Sequence, residues 1–328
     1  SNRDIYTELF GAAALPDIGA ASVARFDYDP FVTRLHILTP AGARNTITVV
    51  NIADQNCFAL AADRPLVITF SARGSFRLLD GLLLDEFSDR GETICTFVSF
   101  ESFEANRFRM LDEGRAVLQL MDNDVALIGG EEAEQHVTRA LRACRGRSLG
   151  ELIAHTEACI APVLSKGRVE VRDPKLQAVL DLNRRIVYSG IDEGGACFGA
   201  LNRIYHLIWV RDGAMTTALM ARAGNPDLLR LWTPFLLRNP SHVRLPNGMV
   251  VPEFLQMLGT RWTKAEDDGL FYAALTCFTH WQTTGDDTLL HGPEFSLLLD
   301  AIDRALDKTF DAARGLVGSD TLGETSLT

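Results

Sequence analysis

An antiparallel β-sandwich followed by an all-α domain, together an α+β multidomain chain, is the fold class this sequence predicts. Three observations predict it. Residues 20–130 run as short β-rich segments broken by turn residues, residues 131–164 switch to apolar spacings of three and four, and the chain after "RVEVRDP" keeps helical spacing with clear breakers. A length of 328 residues exceeds a usual single domain. The expected division is a sandwich domain over 1–130, linker helices over 131–172 and a helical domain over 173–328.

The strands expected are "ITVVNI" (47–52), "PLVITF" (65–70), "SFRLLD" (75–80), "ICTFVSF" (94–100), "RFRML" (107–111), "AVLQLM" (116–121) and "DVALI" (124–128). Several alternate at period two, and Gly, Asp, Asn or Pro separates them, as in an antiparallel sandwich. No catalytic cluster stands out there, which leaves this domain a structural or substrate-shaping role. "EEAEQHVTRALRAC" and "SLGELIAHTEACIAPVL" read as two connecting helices with acids near their starts, where the helix dipole favours them. Asp173 can cap a third helix with Pro174 in its first turn and Leu176, Val179, Leu180, Ile186 and Val187 on its apolar side. Further helices are expected over 212–223, from Pro226 to Asn239–Pro240, over 268–284 and over 294–310. The aromatics Phe271, Phe278 and Trp281 are expected in the core. Long loops, 191–211 and 239–267, separate some helices, and loops of that length carry function more often than short ones.

Composition narrows the function classes. Apolar residues make up 47% and charged residues 23%, as in a globular protein. A net charge of −11 argues against a nucleic-acid partner, since phosphate binding needs a clustered positive surface. Arg139, Arg142, Arg145 and Arg147 do gather, but Glu131, Glu132 and Glu134 precede them, so a solvated helix face explains them. No apolar run approaches the ~20 residues that span a bilayer, and "SNRDIY" is not a signal segment, so no membrane partner and a cytoplasmic location are expected. Cys57, Cys95, Cys144, Cys159, Cys197 and Cys277 lie far apart without a C-x-x-C pair and read as buried free thiols. His36, His136, His155, His206, His242, His280 and His291 never pair at metal spacing, so no metal and no cofactor are expected. G-x-S-x-G, H-E-x-x-H, Walker and G-x-G-x-x-G motifs do not occur.

Three stretches can carry chemistry. In "YHLIWVRDG" (205–213), Arg211 offers a planar fork of donors and Asp212 accepts from vicinal hydroxyls, while Tyr205 and Trp209 offer flat faces for a sugar ring. The same residues also fit a plain reading, with Asp212 as a helix cap and both aromatics in a core. In "RWTKAEDDGLFYAAL" (261–275), Trp262, Lys264, Glu266, Asp267 and Asp268 crowd a loop-to-helix junction; the acids serve either as caps or in polar substrate recognition. "GLVGSDTLGETSLT" (315–328) places Asp320 and Glu324 in a polar loop.

Taken together, the first two stretches resemble glycoside hydrolase family 15, the glucoamylase-like six-hairpin glycosidases with an (α/α)6 barrel. Tyr205, Trp209, Arg211 and Asp212 match that family's aromatic and W-x-R-D pattern. Trp262 stands seven residues before Gly269, as in the family's later W-G-R-P-Q-x-D-G segment, with Asp268 at its aspartate and Ala274–Leu275 echoing its helix. Bacterial members also carry a β-sandwich and linker helices before the barrel. The resemblance implies an inverting hydrolase in carbohydrate metabolism, acting on an α-linked gluco-oligosaccharide. Arg211 and Asp212 would hold the terminal sugar, Tyr205 and Trp209 would wall it, and Lys264 and Glu266, arginine and glutamine in the family, would contact substrate. Glu324 is the nearest candidate for the general acid, although the family's adjoining tryptophan is missing. An inverting enzyme also needs a base about 6.5–9.5 Å from that acid, and in the family it lies late in the barrel. Residues 174–328 have room for about five or six helices, short of twelve, so the chain is expected to be the first part of a longer enzyme. An inverting disaccharide phosphorylase of related fold and a non-catalytic carbohydrate-binding protein remain open alternatives. Sugar identity, linkage and oligomeric state are not set by these residues.

Overall fold

Period-two alternation in "RAVLQL" buries Ala116, Leu118 and Leu120 on one face of a strand, and the same logic builds the first half of the chain. The computed structural model describes residues 22–38, 42–55, 57–72, 74–79, 82–89, 92–100, 107–122, 124–131, 134–192, 194–197, 208–240, 242–244, 249–252, 269–313 and 316–317. They fall into two compact units, 1–162 and 163–328.

In the first unit the strands are β1 (Ser22–Asp27), β2 (Val32–Leu38), β3 (Arg44–Asn51), β4 (Cys57–Ala62), β5 (Leu66–Ser71), β6 (Phe76–Leu79), β7 (Leu82–Asp89), β8 (Glu92–Ser99), β9 (Phe108–Asp112), β10 (Arg115–Leu120) and β11 (Val125–Glu131). They form an eight-stranded sheet in the order β1-β2-β3-β4-β11-β8-β7-β6 and a three-stranded sheet β5-β10-β9, with every pair antiparallel. One apolar core joins the two sheets: Ile47, Val49, Phe58, Leu60, Val98 and Ile128 from the larger, Ile68, Phe70, Leu118 and Leu120 from the smaller. All seven expected strands are present, and β1, β2, β4 and β7 are added to them. β4, "CFALAA", is buried along its whole length, so it lacks the in–out alternation that marks a strand in sequence.

The helix α1 (Glu134–Cys144) packs on β11 and β8, burying Val137, Leu141 and Cys144. The Cys144 thiol ends 3.9 Å from that of Cys57 on β4. α2 (Leu149–Leu164) starts with a capping box: Ser148 N–H and hydroxyl both donate to Glu151 Oε2 at 2.7 Å, and Glu151 N–H donates back to Ser148 Oγ at 3.3 Å. Leu152, Thr156 and Ile160 then recur every fourth residue as its buried stripe.

The second unit is helical: α3 (Pro174–Ser189), α4 (Val210–Arg222), α5 (Asp227–Arg238), α6 (Gly269–Thr284) and α7 (Pro293–Thr309). Asp173 caps α3 as expected, its carboxylate accepting from Lys175 N–H at 2.8 Å and Leu176 N–H at 3.4 Å. The apolar side expected of that helix does not enter a core: no α3 residue is fully buried, and Leu176 and Val179 are about half exposed. α5 is central, burying Leu228, Leu229, Trp232, Thr233, Leu236 and Leu237, and it packs against α4, α6 and α7. The expectation that Phe271, Phe278 and Trp281 pack in the core is corrected as well. α6 turns Leu270, Ala273 and Cys277 inward, and leaves those three aromatics 42%, 50% and 43% exposed on its other side.

The stretch 239–267, expected as loop, contains a small hairpin, β12 (His242–Arg244) with β13 (Val250–Pro252). A second hairpin, β14 (Phe310–Asp311) with β15 (Leu316–Val317), follows α7. Among the described residues no helix is long and apolar enough to cross a membrane. All six cysteines are free thiols, five buried and Cys159 half-buried.

Candidate active site

The chain enters α4 in extended conformation. Ile208 and Val210 are buried, which turns Trp209 between them to the other side, where it is half-buried. Trp209, with φ −101° and ψ 126°, is the N-cap and provides no side-chain capping bond. Asp212 is therefore not the cap that one reading of the sequence made it. It sits in the first turn, exposed, where the unpaired N–H groups and the dipole of the helix start favour its negative charge. Arg211 beside it is half-buried.

Gly213 fixes where this turn lies. A Cβ at that position would meet Trp232 Cζ2 at 2.4 Å and Cε2 and Cη2 at 2.7 Å, so the backbone of α4 rests directly on the indole face. Trp232 is itself immobilised, fully buried and stacked on Phe235 with ring centroids 6.0 Å apart. "RDG" thus places a donor fork and a carboxylate on a turn seated against the core.

A second exposed carboxylate, that of Asp192, stands upstream in the chain. Asp192 closes a tight loop, its Oδ1 accepting from Ala196 N–H at 2.8 Å, and an antiparallel bridge joins Ile191 to Cys197. Gly195 holds a left-handed φ of +96°, with Leu231 O only 2.4 Å from where a Cβ would be, so this loop lies on α5. Burial pushes the Cys197 thiol up to about 12, helped by the charges of Asp212 and then Asp192. The 191–197 loop and the entry to α4 share one core cluster, which holds Ala196 and Cys197 with Ile208 and Val210, and both carboxylates are exposed. Sequence reasoning passed over Asp192; its signal is the turn-rich "GIDEGGA". Asp212, Arg211 and the half-buried Trp209 are an acceptor, a donor fork and a flat face, group types that can meet vicinal hydroxyls and a sugar C–H face. The protonated Cys197 is no nucleophile.

Of the candidate site residues named from sequence, the described ones are Trp209, Arg211 and Asp212, chain neighbours at the start of α4. Tyr205, His206, Trp262, Lys264, Glu266, Asp267, Asp268, Asp320 and Glu324 lie outside the described residues.

No family model and no curated protein matches the sequence. Solved structures do match in shape. A bacterial glucoamylase complexed with acarbose superposes with a TM-score of 0.58 at 12% identity, covering 88% of this chain and 50% of that one. A putative kojibiose phosphorylase from the human microbiome gives a TM-score of 0.54 at 8% identity, over 82% of this chain and 44% of that one. The likeness is one of fold. Both neighbours have the six-hairpin glycosidase fold, and this chain spans about half the length of each.

Proposed function

We propose that this chain carries the sugar-holding part of an inverting carbohydrate-active enzyme, a glucoamylase-like glycoside hydrolase acting on an α-linked gluco-oligosaccharide. Its helical unit is then part of an (α/α)6 barrel. The observation that carries the reading is Asp212: a carboxylate left exposed in a helix turn whose position Gly213 and Trp232 fix, with Trp209 and Arg211 beside it. Fold likeness to a glucoamylase supports it. In this reading Arg211 and Asp212 bind hydroxyls of the terminal sugar, Trp209 and Tyr205 line its ring, and Trp262, Lys264, Glu266 and Asp268 complete the subsite. Glu324 protonates the glycosidic oxygen. A second carboxylate, assigned to no residue here, activates water on the opposite face. The phosphorylase reading rests on the likeness to the kojibiose phosphorylase; phosphate would then take the place of that water.

The test incubates the protein with α-glucosides, with and without inorganic phosphate, and measures acarbose binding in parallel. Glucose release without phosphate supports the hydrolase, and a sugar phosphate formed only with phosphate replaces it by the phosphorylase. Binding without turnover in either condition leaves a carbohydrate-binding protein. Asp212→Ala is expected to abolish sugar binding with the fold intact. Should the variant unfold while its folded fraction keeps full affinity, Asp212 is a structural residue and the assignment is wrong.

A further inference from the structure

Away from the α4 turn, another cluster of chemistry-bearing side chains stands in the first unit. The ligand atoms of Asp54, His155 and Cys159 all lie within 4.8 Å of one another. They converge from two elements. Asp54 belongs to the turn between β3 and β4, which is closed by Gln55 N–H donating to Ile52 O at 3.1 Å and Ile52 N–H donating to Cys57 O at 3.2 Å. His155 and Cys159 are four residues apart on α2 and so share one helix face. The face next to theirs is held down independently: Leu152, Thr156 and Ile160 are buried, and the Thr156 hydroxyl donates to Asn51 O at 3.5 Å. Packing of that neighbouring face therefore holds α2 where its two ligands meet the β3–β4 turn.

The distances fit a metal ion. His155 Nε2 lies 2.9 Å from Asp54 Oδ1 and 3.8 Å from Cys159 Sγ. A tetrahedral zinc with bonds of about 2.0–2.1 Å to nitrogen and oxygen and about 2.3 Å to sulfur holds N and S about 3.6 Å apart and N and O about 3.3 Å apart. Small side-chain rotations bridge the difference. An ion pair between His155 and Asp54 explains the first distance, but it gives no reason for a thiol at the same nitrogen. Cys159 is also the one cysteine of the chain that is not buried. The site is open, with the side chains of His155 and Asp54 28% and 44% exposed, so an ion can enter and a water can take the fourth position.

We propose that Asp54, His155 and Cys159 bind one zinc-class divalent ion, fastening the β3–β4 turn to α2. One imidazole, one thiolate and one carboxylate suit zinc, whereas calcium and magnesium need more oxygen ligands and no sulfur. The Cys159 thiol gives its proton to solvent as the metal–sulfur bond forms, His155 binds through a deprotonated ring nitrogen, giving up a second proton to solvent where the ring starts as imidazolium, and Asp54 binds as carboxylate. This site is independent of the sugar-binding reading.

Cobalt(II) provides the test, because its thiolate complexes absorb. The reduced, chelator-treated chain is titrated with Co(II), then with Zn(II) in competition. The expected result is a thiolate-to-cobalt charge-transfer band that saturates at one equivalent and is displaced by zinc. Cys159→Ser should remove the band, and Asp54→Asn and His155→Ala should each weaken zinc binding at least about tenfold, with far-UV circular dichroism unchanged. Absence of the band in the unaltered chain overturns the proposal. So does a band that survives Cys159→Ser but disappears in Cys144→Ser, because the metal would then sit at the Cys57–Cys144 pair.

Discussion

Replacing Gly213 with alanine sets two opposed effects against each other. In an exposed helix the change would stabilise by about 1 kcal/mol, because alanine orders with less loss of backbone freedom. Here the new methyl would lie 2.4 Å from Trp232 Cζ2 and 2.7 Å from two neighbouring ring atoms. Carbon atoms in contact sit about 3.5–4.0 Å apart, so the overlap is about 1 Å. The indole cannot swing aside, since it is fully buried and stacked on Phe235. Overpacking costs about 1–3 kcal/mol, and a contact this deep belongs at the upper end, leaving a net destabilisation of about 2 kcal/mol. Urea unfolding followed by near-UV circular dichroism measures it. The control is the same substitution in a Trp232→Phe background, where the smaller ring makes room and alanine should now stabilise by about 1 kcal/mol. If alanine stabilises equally in both backgrounds, the close contact between α4 and α5 is not as described.

Ser148→Ala should cost about 1 kcal/mol by removing the cap of α2. The Ser148 hydroxyl, then its N–H, holds the Glu151 carboxyl below its ordinary 4.5, so this interaction is complete above pH 4.5 and is lost as pH falls below it. The gap between variant and parent, measured by urea unfolding, should accordingly narrow in acid; a gap that widens refutes the capping box. Asp173→Ala should accelerate amide hydrogen exchange in α3 while leaving α5 protected, because α3 has no fully buried residue to stabilise it otherwise. In alkylation of the folded, metal-free chain Cys159 should react first. Cys197 and Cys277, both buried and pushed up to about 12, should label only on unfolding, and equal rates by peptide mapping would contradict their burial.

Sequence alone was a good guide where one local force decides the structure. Asp173–Pro174 begins a helix, the acid expected near the next helix start upstream is there as Glu151, and alternation in "RAVLQL" makes a strand. It misled where tertiary context decides. β4 is built of alanines buried on both faces, and β7 opens with three leucines, so neither shows a strand period. The aromatics of α6 are as apolar as any core, and nothing local says that Leu270, Ala273 and Cys277 will be the ones turned inward. At the candidate site, "WVRDG" was legible as a motif, but not that Trp209 rather than Asp212 would take the N-cap position. The reading of no metal passed over the i,i+4 pair of His155 and Cys159 in "HTEAC", and their third partner, Asp54, is 101 residues from His155, so only the fold brings it there.

The burial of Trp232 has an optical consequence. Its indole is shut off from water, Trp209 at the candidate sugar surface is half-buried, and Trp281 is 43% exposed. These three of the chain's four tryptophans form a graded set of fluorophores; the fourth, Trp262, lies outside the described residues and is replaced by phenylalanine for the measurement. Acrylamide should quench Trp281 readily and Trp232 hardly at all, and a sugar covering Trp209 should lower the quenchable fraction without touching the blue-shifted emission from the core. If the proposed sugar surface is right, its occupancy should be readable by light alone, with the buried tryptophan as an internal standard for an intact fold.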